Sequence, residues 1–132
     1  MIAEQLQELR VLRERENAPA PTATPLPNGG QLISVPGVAL HGWNRATADV
    51  LFVAPPGYPG AQPDCFWVEP ANFRLANGDT PANTNDSNPI PGDIKPGRSA
   101  TWFSWHVQAW NPNTSTLATF FKVIQRRLKT PQ

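Results

Sequence analysis

Thiols are nearly absent from this chain: one cysteine, Cys65, in 132 residues. A lone thiol excludes an internal disulfide framework and most cysteine-based metal sites. Histidine is scarce too, with only His41 and His106. Two histidines without a fixed ligand spacing do not make a metal centre, so no metal and no cofactor are expected. Charge of either sign is not in excess. Eleven basic side chains against ten acidic ones leave a formal charge of +1. That balance gives no mandate for nucleic acid or membrane binding, and neither partner is expected. No apolar run approaches the length needed to span a bilayer. Residues 1–17 carry charges of both signs, unlike a signal peptide, and a cytoplasmic location is expected.

Proline and tryptophan are plentiful, at 16 and five residues. Prolines punctuate strands, because each fixes φ and removes a ladder donor. The stretch VLFVAPPGYPGAQPDCFWV, residues 50–68, shows what that does. An apolar run ends at Pro55-Pro56, a Gly/Pro turn follows to Pro63, and a second apolar run resumes at Cys65. The reading is strand, rigid turn, strand.

Ile2, Leu6 and Leu9 recur at i, i+4, i+7, which predicts a helix over residues 2–16. Glu4 lies early, and Arg10, Arg13 and Arg15 lie late, as the helix dipole favours. The three arginines read as a solvated face. Residues 17–30 (NAPAPTATPLPNGG) read as a proline-rich linker. The division is therefore a helix and linker over residues 1–28, then a domain over 29–132. Strands are expected at 31–38, 49–54, 65–68 and 100–108. In the last, two-residue alternation places Trp102, Ser104 and His106 on one face. Residues 77–97 are turn chemistry throughout and predict a long surface loop. Leu117, Phe120, Phe121, Ile124 and Leu128 form the stripe of a closing amphipathic helix, with Thr114 or Ser115 as its cap. The fold class is α+β: N-terminal helix, antiparallel meander of about four strands, long loop, C-terminal helix.

That order, with Pro55, Tyr58, Pro59 and Pro63 in the turn and Trp110-x-Pro112 before the last helix, resembles the ubiquitin-conjugating-enzyme (UBC) fold. PPGYPGAQPDCFWVEP, LANG from Leu75 and FSWH from Phe103 look most like its prokaryotic family E. The resemblance covers roughly residues 29–128. It implies a place in a bacterial ubiquitin-like conjugation system. The implied partners are a ubiquitin-like protein, an activating enzyme and a JAB-type metallopeptidase.

A conjugating enzyme carries its cargo on a cysteine, since a thiolate is a strong nucleophile near neutral pH. In the eukaryotic UBC pattern the cysteine lies shortly before Trp-x-Pro; counting back from Trp110, that position falls in residues 101–104, which hold none. The HPN segment of that eukaryotic pattern is poorly matched, with Asn72 a faint echo of its asparagine. Cys65 aligns with a core aliphatic position, where a thiol is a small buried hydrophobe. A relocated thioester carrier is the alternative for it. Ser104 and His106 are the other candidates: a hydroxyl to hold an oxyester and an imidazole to act as its base. Three readings stay open: transfer without the usual cysteine, a catalytically inactive binding module, and a Ser/His hydrolase. Against the last, neither a Gly-x-Ser-x-Gly elbow nor an acid partner for His106 is visible. Asp64 and Glu69 read as exposed, and Tyr58 as a turn anchor bonded to backbone.

Overall fold

A computed structural model describes residues 2–132. The elements are α1 (Ile2–Arg15), β1 (Thr22–Pro25), β2 (Gln31–Ala39), β3 (Thr47–Ala54), β4 (Phe66–Glu69), β5 (Thr84–Asn85), β6 (Thr101–Phe103) and α2 (Leu117–Leu128). All six strands form one antiparallel sheet in the order β1-β2-β3-β4-β6-β5. Strands β2, β3, β4 and β6 are the expected meander. The architecture is α+β and consistent with a UBC-like fold.

Strand alternation gives the sheet two apolar faces. Ile33, Val35, Val50, Phe52, Phe66, Val68 and Phe103 face α1 and α2 and join Leu9, Phe120, Phe121 and Ile124 in the main core. Phe66 and Phe103, paired across β4 and β6, stack at 4.5 Å between centroids. The opposite parity, Leu32, Leu51 and Trp67, forms a second cluster closed by Leu26 and Ile90.

Four expectations are corrected. Residues 22–25 are not free linker: they pair with Gln31–Ser34 of β2 as an edge strand. Thr and Pro serve there because an edge strand can leave amides on its open side. The last strand stops at Phe103, so the alternation argument does not reach Ser104 and His106. Its neighbour β4 begins only at Phe66 because Cys65 adopts φ +57°, which breaks the regular ladder. Arg13 is no solvated arginine. It is 2% exposed, stacks over Phe121 and donates from Nη2 to the Pro36 and Gly37 carbonyls at 2.9 and 3.2 Å. Those carbonyls lie where the β2–β3 register shifts, between Val35 and Val38, so they are free to be claimed from α1. Finally, Thr116 is the cap of α2, not Thr114 or Ser115. Its hydroxyl accepts from Thr119 N, and Thr119 returns the bond. Ser115 Oγ instead accepts from Asn111 N at 3.0 Å.

Candidate functional site

The proline turn is held from two sides. Tyr58 N donates to Pro55 O at 2.9 Å and Ala61 N to Gly57 O at 3.1 Å, which closes the turn on itself. The Tyr58-Pro59 and Glu69-Pro70 peptides are cis. Trp110 then reaches across: its Nε1 donates to Pro59 O at 2.8 Å, and its ring lies 5.8 Å from that of Tyr58. The Tyr58 hydroxyl donates to Gln5 Oε1 of α1, a side chain rather than the expected backbone group. Burial, with the Glu8 charge adding, raises the Tyr58 phenol above its ordinary value and keeps it a donor.

The turn delivers Pro63, Asp64 and Cys65 to the start of β4. Cys65 N donates to Trp105 O at 2.8 Å, and Ser104 N to Asn83 O at 2.9 Å. Those two bonds fix the segment that follows β6 against the end of the turn and against the long loop. His106 is thereby set beside Asp64, and its Nδ1 bonds Asp64 Oδ1. Both side chains are more than half exposed. The carboxylate that the sequence reading lacked for His106 is therefore Asp64. Its separation of 42 residues carries no periodic signal, so only the turn geometry could reveal it.

Ser104 and His106 line one cavity of about 950 Å³ between this segment and α2. Trp105, Val107 and Val123 give it an apolar wall; Lys122 and Arg126, one turn apart on α2, give it cations. Nothing pairs Ser104 with His106 by a hydrogen bond: they share a cavity without forming a linked couple. Arg127, which also lines the cavity, is 3% exposed. It donates to the carbonyls of Ala82, Thr130 and Gln132 and sits over the Trp43, Phe103 and Trp105 rings. Burial lowers its guanidinium from its ordinary value, and the ring faces and backbone oxygens supply the compensation for the buried cation. His41 lines a different cavity, next to Arg13 and Lys129, so the two histidines are not brought together.

Cys65 packs with Trp102 at the edge of the second cluster and is half-buried, rather than in the core. Burial pushes its thiol up from its ordinary value; a hydrogen bond from the Trp102 indole opposes this, and the Asp64 charge adds to it. The thiol does not line the cavity of Ser104 and His106.

A helix, an antiparallel meander, a proline turn clasped by a Trp-x-Pro tryptophan and a closing amphipathic helix define a protein of UBC-like architecture. The chain belongs to the Prokaryotic E2 family E, whose sequence model matches residues 22–131. The match begins at β1, the strand that closes the sheet's outer edge. No curated protein and no solved structure matches the chain. Membership supports a UBC-like role in ubiquitin-like conjugation. No helix among the described residues is long and apolar enough to cross a membrane.

Proposed function

We propose that the protein receives or positions a ubiquitin-like protein delivered by an activating enzyme, with a site that contains no cysteine at the usual catalytic position of the eukaryotic UBC pattern. The observation that carries this is the family match over the whole sheet and α2, with the chemistry-bearing Ser104 and His106 on the segment between β6 and the Trp-x-Pro turn. In the transfer reading, the Ser104 hydroxyl attacks the acyl carbon of a donor thioester. An O–C bond forms as the C–S bond breaks, and the seryl proton passes through His106 to the departing thiolate. Cys65 is a poor carrier by comparison, since its thiol is half-buried and biased to the neutral form.

The missing hydrogen bond between Ser104 and His106 favours a second reading, a UBC-fold module that binds the ubiquitin-like protein or activating enzyme without covalent chemistry. The deciding experiment incubates the protein with an activating enzyme, ATP and the ubiquitin-like protein from the same organism, followed by intact-mass and peptide mass spectrometry. The transfer reading expects an adduct on Ser104 that Ser104→Ala abolishes and His106→Ala slows by about 10²–10⁴-fold. It expects Cys65→Ala to leave the adduct unchanged. An adduct lost only with Cys65→Ala overturns the assignment. A stable complex without any adduct establishes the binding module. Turnover of simple esters, lost on Ser104→Ala, would instead point to a hydrolase.

A further inference from the structure

His106 and Asp64 meet on two segments whose relative position is set by backbone, not by the side chains themselves. Asp64 follows Pro63 at the end of the clasped turn. Its neighbour Cys65 donates N–H to the carbonyl of Trp105, the residue preceding His106, at 2.8 Å. Ser104, two residues before His106, is tied to Asn83 O. The left-handed φ of Cys65 turns the chain at that point. An exposed ion pair adds little to stability. A carboxylate on one imidazole nitrogen does something else: it selects the tautomer and aims the other nitrogen.

We infer that Asp64 is the positioning residue of the cavity: it holds His106 with the proton on Nδ1 and leaves Nε2, the basic nitrogen, for the cavity that His106 lines. Asp64 does not itself line that cavity and touches no substrate. Its action is through the imidazole. Among the described residues Nε2 has no hydrogen-bond partner, so it is available to take a proton from a hydroxyl or amine brought into the cavity. The charged groups on the facing elements are Lys122, Arg126 and Arg127 of α2 and Glu8 of α1. Glu8 is engaged by the Thr116 hydroxyl at 2.9 Å. Asp64 is thus the carboxylate that bonds the ring.

The tautomer does not depend on conjugation, whereas its use in transfer rests on the reading proposed above. The test therefore has two arms on the full chain. The first is ¹⁵N NMR of the imidazoles at alkaline pH, where the rings are neutral. The expectation is a protonated Nδ1 and an unprotonated Nε2 for His106. Asp64→Ala should shift His106 toward the Nε2–H form that free histidine prefers. Asp64→Asn, which keeps an acceptor oxygen, should restore Nδ1–H. His41 should not respond, and the urea midpoint of Asp64→Ala should match the parent. A His106 already protonated on Nε2, or a tautomer unmoved by Asp64→Ala, overturns the inference. The second arm measures transfer rate. Asp64→Ala should fall between the parent and His106→Ala, and the double variant should be no slower than His106→Ala alone. A double variant slower than His106→Ala shows that Asp64 acts independently of the ring and overturns the inference. A parent that forms no adduct defeats the transfer reading, and the NMR arm then decides the positioning of the imidazole by itself.

Discussion

Cys65 shows how one residue's backbone can outweigh its side chain. As a sulfur it is a minor packing group at the margin of the second cluster. As a backbone unit at φ +57° it sets where β4 starts and brings Asp64 to His106. The two roles separate experimentally. Burial raises the thiol, so the folded state disfavours the thiolate. A raised value means the stabilisation is complete below the unfolded thiol's value, near 8.5, and is lost as pH rises through the folded one. Alkylation by iodoacetamide at about pH 8.5 should therefore be several-fold slower in the folded protein than in urea. Stability should decline on the alkaline side, and Cys65→Ala should flatten that decline. Equal labelling rates in both states would show an open thiol. Cys65→Gly is the complementary change, since glycine adopts positive φ without steric cost. It should remove the sulfur and preserve the Asp64–His106 contact.

At the scale of elements, α1 is a strut rather than a tether. Leu9 is fully buried in the main core and Leu6 nearly so. Gln5 Oε1 accepts from both the Tyr58 hydroxyl and Leu117 N, so one side chain joins the proline turn to the first turn of α2. Glu8 adds the Thr116 bond. The Leu117 amide is among the first of α2, which no carbonyl within the helix can serve, and Gln5 supplies its acceptor from outside. Leu9→Ala should cost about 2–5 kcal/mol, and Gln5→Ala about 1–3 kcal/mol by leaving two donors without that oxygen. Urea unfolding followed by tryptophan fluorescence measures both. Losses below about 0.5 kcal/mol would mean α1 is dispensable. The helical period of Ile2, Leu6 and Leu9 was enough to find this element, as the Leu117–Leu128 stripe found α2. Alternation and the prolines located β2, β3 and β4. What periodicity could not carry was long-range: the pairing that turns 22–25 into a strand, the carbonyls that bury Arg13, and the meeting of Asp64 with His106. The first depends on pairing across the turn at residues 26–30, the other two on partners more than twenty residues away, and local pattern is silent about partners. The Trp-x-Pro and Tyr-Pro motifs were legible as separate signals; that Trp110 donates to Pro59 was not.

For the molecule as a whole, the exposed area of 6791 Å² is close to the roughly 6,900 Å² that a compact monomer of this mass presents. That agreement leaves no room for a loosely hanging segment of residues 77–97, and charge explains how the loop is held. Ile90 inserts into the second cluster, and Trp67 Nε1 donates to Asn88 O at 2.8 Å. Asp86 accepts from Asn72 N, the Thr101 hydroxyl and Arg74; Asp93 is bound by Arg98, which also bridges to Glu69. Burial alone would raise both aspartates. For Asp86 the bonds from Arg74, Thr101 and Asn72 N outweigh it, and for Asp93 those from Arg98 and Lys95 N, with nearby cations adding in both. Both therefore lie below the ordinary aspartate value of about 3.9. The sign follows: their stabilisation is present above that value and is lost as pH falls through the lower folded ones. Acidification below about pH 4 should thus release the loop while the core of β2, β3, β4 and α2, held by apolar contact, persists. Hydrogen exchange corrected for intrinsic rates should show residues 77–97 losing protection in that window ahead of residues 31–54. Asp86→Asn and Asp93→Asn should show that loss already at neutral pH, with a smaller further step in acid. Simultaneous loss of protection in loop and core would mean that the loop and the sheet open as one unit. Because Asn83 of this loop holds Ser104 N, a loop released separately should also free the segment that carries His106. In Asp86→Asn and Asp93→Asn, read at the alkaline pH of the tautomer measurement, the Nδ1–H signature of that ring should then be weaker than in the parent.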